Sequence, residues 1–214
     1  MARGFKRRDG RYVARLDAVE RGLVVGLMEQ VLELVSPEGD DAGMPRGPGE
    51  GDEFDRIVAG LGGVGMGVSL SAADQAGEDV GRAPHAGERD PALDRIFPTA
   101  NRQDEQVAAE FRRLTEEGLR SRKSANLTTA IAALAGLEDQ KVSLDHDQAL
   151  ALVVALTDVR LVLGERLGLK HDDDVAVLEE QASGLDEDDP TVYALAVYDF
   201  LTWLQETLTQ ALTR

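Results

Sequence analysis

The sequence predicts a mainly all-α protein, a helical bundle of about four to six helices around a central buried helix, with a small N-terminal β-hairpin and a long disordered insert. Three observations predict it. Apolar residues recur at helical spacing in several separate stretches; one stretch is apolar nearly all round; and two Asp-Pro pairs stand where helices would start.

The chain opens with two short runs between Phe5 and Arg15 around Asp9-Gly10, a pair suited to a two-residue hairpin turn because both positions accept positive φ. Asp17 followed by Glu20 has the form of a capping box. Val19, Leu23, Leu27, Val31 and Leu34 then mark one helix face over roughly Asp17 to Val35, until Ser36-Pro37 stops it. A second row, Val24, Met28 and Val35, widens that face. From 37 to 89 the composition turns to Gly, Pro, Asp and Glu, which cannot offset the entropy of ordering and reads as a flexible insert. Only Phe54, Ile57, Val58 and Leu61 within it have the spacing of a short amphipathic helix.

Asp90-Pro91 restarts ordered structure as N-cap and first helical residue, with Leu93, Ile96 and Phe97 before Pro98. Val107, Phe111, Leu114 and Gly118, followed by Leu127, Ile131 and Leu134, continue one apolar stripe on a long helix ending near Ala135, with Gly118 or the polar Arg120–Ser124 stretch as the place for a bend. Leu144 to Leu169 is apolar nearly all round and is the expected central helix. An acidic loop is expected over 170–189, with helical turns around Val175–Ala182. Asp189-Pro190 opens the last helix, striped by Tyr193, Val197, Phe200, Leu201, Leu204, Leu208 and Ala211. Residues 1–214 are read as one helical domain interrupted by the insert.

Composition narrows function. With no cysteine, the 214-residue chain has no disulfide, thiolate ligand or thiol nucleophile of its own. No apolar stretch approaches the ~20 residues that cross a bilayer, so no membrane role and a cytoplasmic location are expected. Forty acidic against 23 basic residues give −17, which repels phosphate backbones and makes direct nucleic-acid binding unlikely. Against that balance, Arg3, Lys6, Arg7, Arg8, Arg11 and Arg15 crowd the first fifteen residues with Asp9 as the one acid, and Arg112, Arg113, Arg120, Arg122 and Lys123 form a second mixed cluster. Either a solvated face or a contact for an acidic partner fits such runs.

Gly60 to Gly65 matches the bare GxGxxG pattern but lacks the strand-to-helix setting that brings a phosphate to a helix N-terminus, so it reads as linker. His85 falls in the insert, while His146 and His171 flank the central helix beside Asp145, Asp147 and Asp172–Asp174; none has metal-ligand spacing, and no nucleophile elbow is present. Hence no catalytic residue, cofactor or metal is assigned. Asp158 and Arg160 on the central helix need partners to offset desolvation. Arg112, Arg113 or Arg122 are expected for Asp158, and Glu110 or Asp199 for Arg160. Arg166 joins them as a structural ion-pair residue; an enzymatic or ligand-binding reading would require Asp158, Arg160 and Arg166 to line one polar pocket. Arg7, Arg8, Arg11, Arg112, Arg113 and Trp203 are the candidate partner-binding residues, Trp203 because it lies off the main stripe and aromatic residues are enriched in binding hot spots. Trp203 and the spare row on the first helix would permit a homodimer, and a compact monomer could equally bury both.

Four blocks carry a resemblance: Asp90-Pro-Ala-Leu-Asp-Arg-Ile-Phe-Pro98; Glu110-Phe-Arg-Arg-Leu-Thr115 with Leu119 and Arg122; Leu156-Thr-Asp-Val-Arg-Leu-Val-Leu-Gly-Glu-Arg-Leu-Gly168; and Tyr198-Asp-Phe-Leu-Thr-Trp-Leu-Gln-Glu206. With Phe5…Asp9-Gly10 and Glu20…Leu27, they resemble an actinobacterial AosR-like family of helical proteins, encoded near the ClpS adaptor gene and a sulfur-carrier cysteine-synthesis cluster. The resemblance implies an oxidative-stress transcriptional regulator that acts by protein contacts with a sigma factor, and, as the alternative, an adaptor tied to Clp-dependent proteolysis. In a characterised member sensing uses a cysteine pair; this chain has none, so the resemblance carries over the scaffold and not the redox switch.

Overall fold

The computed structural model describes residues 2–36, 90–98, 105–137, 139–171, 173–186 and 189–214. The insert expected at 37–89, its Phe54, Ile57, Val58 and Leu61 quartet, the Gly60–Gly65 run and His85 lie outside the described residues. In chain order the elements are β1 (Arg3–Arg8), β2 (Arg11–Arg15), α1 (Ala18–Val35), α2 (Pro91–Ile96), α3 (Glu105–Leu134), β3 (Lys141–Leu144), α4 (His146–Arg166), α5 (Asp174–Ala182) and α6 (Pro190–Thr213).

The turn at Asp9-Gly10 has φ of 49° and 75°, the left-handed pair that closes a hairpin. The hairpin is not alone. β3 adds antiparallel to β2, giving the order β1-β2-β3 with Val13 opposite Ser143 and Arg15 opposite Lys141. On the far side, α6 covers the edge of β1. The Phe5 N–H, left without a strand partner there, donates to Thr207 Oγ1 at 3.2 Å. The approach is close enough that a Cβ on Gly4 would lie 2.6 Å from Thr207 Cγ2.

Caps set the helix starts. Asp17 and Glu20 form the capping box of α1, with both hydrogen bonds at 2.9 Å. Asp90 and Asp189 accept from the N–H groups of Ala92 and Thr191, each at 2.8 Å, ahead of Pro91 and Pro190. α4 has a second capping box, Asp145 with Gln148. The helix so begun is the central one: it packs against α1, α2, α3 and α6, and buries Leu152, Ala155, Leu156, Val159 and Leu163.

Two expectations change. The acidic stretch 170–189 holds a full helix, α5, pinned by the buried Leu178; the Asp174 carboxylate accepts from the backbone N–H groups of Lys170 and His171 at its start. The apolar stripe of α3 is buried at Leu127 and Leu134 and partly at Ile131, while Phe111 and Leu114 are 50% and 66% exposed. Thirty residues make α3 ~45 Å long, against 18 for α1 and 21 for α4, so its N-terminal half outruns the helices that bury the rest.

Candidate partner-binding surface

Pairing and alternation decide where the basic N-terminal run points. Tyr12 and Ala14 of β2 are buried beneath the sheet, so Arg11, Val13 and Arg15 face outward. Cross-strand partners share a face, which adds Lys6 (opposite Val13), Arg8 (opposite Arg11) and Arg3 (opposite Arg15) from β1, and Lys141 and Ser143 from β3. Arg3 and Lys6 are an odd number of residues apart, yet share this face because the register slips between them. A β-bulge inserts the extra residue. The outer face therefore presents Arg3, Lys6, Arg8, Arg11, Arg15 and Lys141, all exposed, around a half-buried Val13.

No ion pair compensates these six cations among the described residues. Arg11 lies across β3 and donates from Nε to Ser143 Oγ and from Nη2 to the Ser143 carbonyl, both at 2.8 Å, so its partners are neutral. On a chain of net charge −17 this is a concentrated patch of opposite sign. Of the residues expected to bind a partner, Arg8 and Arg11 belong to it. Arg7 lies opposite Tyr12 on the other side of the sheet, exposed near the turn. Arg112 and Arg113 belong to α3, not to this sheet: Arg112 Nε is 3.9 Å from Glu116, and Arg113 pairs with Glu110 at 2.7 Å, which holds the Glu110 carboxyl below its ordinary range. Trp203, 36% exposed, has its ring centroid 6.0 Å from that of Phe200. Lys141 and Ser143 were missed, because nothing local marks the short Lys141–Leu144 run as a strand.

The charges of α4 do not form a common site. Asp158, 1% exposed, accepts from Lys123 Nζ of α3 at 2.6 Å rather than from Arg112, Arg113 or Arg122. Lys123 is a ~100° helical step from Arg122, and that step turns it onto the face that meets α4. Arg160 turns to α6, donating to Gln205 Oε1 at 2.7 Å and lying 5.2 Å from the Tyr198 ring centroid, instead of pairing with Glu110 or Asp199. Arg166 reaches Asp90 at 2.5 Å, and Arg95 pairs with Glu165 at 2.9 Å, so two ion pairs strap α2 to the end of α4. A groove of about 270 Å³ between α1 and α4 is lined mainly by apolar residues, among them Leu27, Val31, Leu34 and Val159; Arg166 borders it, but Asp158 and Arg160 do not. Three groups directed at three different helices do not make the polar pocket that an enzymatic reading of Asp158, Arg160 and Arg166 requires.

No helix among the described residues is long and apolar enough to cross a membrane. No curated protein and no solved structure matches the chain. One family model, described as a domain of unknown function, DUF2017, matches residues 2–212, essentially the whole length, and the chain belongs to that family.

Proposed function

We propose that this chain is a non-enzymatic regulatory protein that acts through protein–protein contacts, with the outer face of its sheet as the docking surface. The observation that carries the reading is the set of six outward cations without a carboxylate partner among the described residues, on a protein of net charge −17. Such a patch steers and orients an acidic partner while the remaining surface repels polyphosphates. The resemblance to AosR-like regulators supports a component of the transcription machinery, a sigma factor, as that partner. Without cysteine, control by thiol oxidation would have to come from the partner.

The test is reconstitution of the purified chain with the host's stress sigma factors, followed by charge reversal at Arg8 and Arg11, with Arg7, on the other side of the sheet, left intact. A complex that the reversal weakens while the melting temperature does not fall supports the reading. Recovery of ClpS or Clp subunits and no sigma factor would replace it with the proteolysis adaptor.

A further inference from the structure

The register of the sheet sets like charges directly against each other. Arg3, Arg15 and Lys141 form one continuous row across all three strands, and Arg8 faces Arg11 at the hairpin end. Like charges directly opposite on one face are destabilising. Here they occur at both ends of the sheet, with Val13 between them. The two rows sit on β2 at Arg15 and Arg11, four residues and ~13 Å apart at ~3.3 Å per residue.

We infer that the outer sheet face takes an acidic, extended polypeptide segment whose carboxylates recur four residues apart on either side of an apolar residue, matching Arg15, Val13 and Arg11. The inference rests on the protein-contact reading and specifies the partner's chemistry. Guanidinium groups take carboxylates in bidentate fashion, and a segment with that spacing neutralises both rows at once while its central side chain covers Val13. Nucleic acid fits the face less well. Phe5 and Tyr12, the aromatic residues of these strands, are buried beneath the sheet at 4% and 3% exposure, so no ring is offered for a base to stack on.

The probe is a fluorescein-labelled peptide, acetyl-Glu-Glu-Ala-Leu-Ala-Glu-Glu-amide, titrated with the full chain and followed by anisotropy at low salt. The comparison ligands are an isomer with its four glutamates contiguous and a single-stranded oligonucleotide of equal charge. The expected result is tightest binding by the first peptide, weakened at least tenfold by Arg8→Glu or by Lys141→Glu. Arg8→Glu also turns a repulsive cross-strand pair into an attractive one, so it should raise the melting temperature while it lowers peptide affinity; a merely structural arginine would move neither in that direction. Equal binding of the two peptides, tighter binding of the oligonucleotide, or a lowered melting temperature for Arg8→Glu with peptide affinity unchanged would overturn the inference. A peptide that binds as expected, beside a sigma factor that does not, would remove the regulatory reading and leave the recognition chemistry standing.

Discussion

Lys123 holds its ammonium 2.6 Å from one carboxylate oxygen of Asp158, and the other oxygen, Oδ2, is buried without a hydrogen-bond partner among the described residues. Burial pushes the Asp158 carboxyl above its ordinary range, and the hydrogen bond and charge of Lys123 oppose that rise. Replacing Lys123 with Met should cost ~3 kcal/mol at neutral pH, because it strands a buried charge. The sign of the pH dependence follows from the raised value. Between the unfolded and the folded pKa the native state binds more protons, so the Asp158 contribution to stability is greatest below the unfolded value and is lost as pH rises through the folded one. Urea denaturation at several pH values should therefore show the deficit of Lys123→Met shrinking toward acid, and Asp158→Asn with Lys123→Met should show no such trend. A deficit constant with pH would mean that Asp158 is not the group left behind.

Gly4 stands where β1 and α6 meet. An alanine Cβ there would lie 2.6 Å from Thr207 Cγ2 and 2.8 Å from Cβ and Oγ1 of the same residue. Gly4→Ala should destabilise by ~1–3 kcal/mol through overpacking. Thr207→Ala removes the methyl but also the acceptor of the Phe5 N–H, so it should cost about 1 kcal/mol by itself and relieve part of the Gly4→Ala deficit in the double variant. Additive melting-temperature losses would show that the two positions do not press on each other.

Asp90 performs two separable tasks, capping α2 through the Ala92 N–H at 2.8 Å and pairing with Arg166 at 2.5 Å. Both charged side chains are partly solvated, so the ion pair should contribute no more than about 1 kcal/mol. A serine cap can replace an aspartate cap. Asp90→Ser and Arg166→Met should thus be nearly equal and mild, and Asp90→Ala should cost ~1 kcal/mol beyond either. Denaturant midpoints at fixed pH give the ranking; equal midpoints for Asp90→Ser and Asp90→Ala would refute the capping role.

What could be read in advance follows the range of the interaction. The caps at Asp17, Asp90 and Asp189, the turn at Asp9-Gly10 and the dense apolar run of α4 each depend on neighbours within a few residues, and sequence order displays them directly, although Leu150 and Val154 of that run are exposed. β3 depends on β2: Arg11 and Ser143 are 132 positions apart, and a four-residue strand has too little pattern to announce itself. The basic run was visible as charge, but its sorting onto one face required the register slip between Arg3 and Lys6, without which Arg3 would share a side with Phe5. For Asp158 the need for a partner was legible from its apolar helix. Which cation met it depended on the helical phase of α3, where Arg122 and Lys123 are adjacent in sequence and point ~100° apart.

The same limit explains α3, whose apolar repeat continues past the described helices that cover its C-terminal half, and it yields a contrast in mutational cost. Leu127 is fully buried and Phe111 is half exposed, although both belong to the repeat read from the sequence. Leu127→Ala should lose ~2–5 kcal/mol from the transfer and cavity costs of a core leucine, whereas Phe111→Ala should change stability by no more than ~0.5 kcal/mol in a monomer. Repeating both denaturation curves over a hundredfold range of protein concentration adds a second reading. The second row of α1, Val24, Met28 and Val35, is fully buried within the chain and offers no surface to a second copy. If Phe111→Ala lowers stability only at high concentration, its ring is buried between copies of the chain, and the homodimer runs through α3. A cost for Phe111→Ala that is large and independent of concentration would instead require a covering contact within the chain.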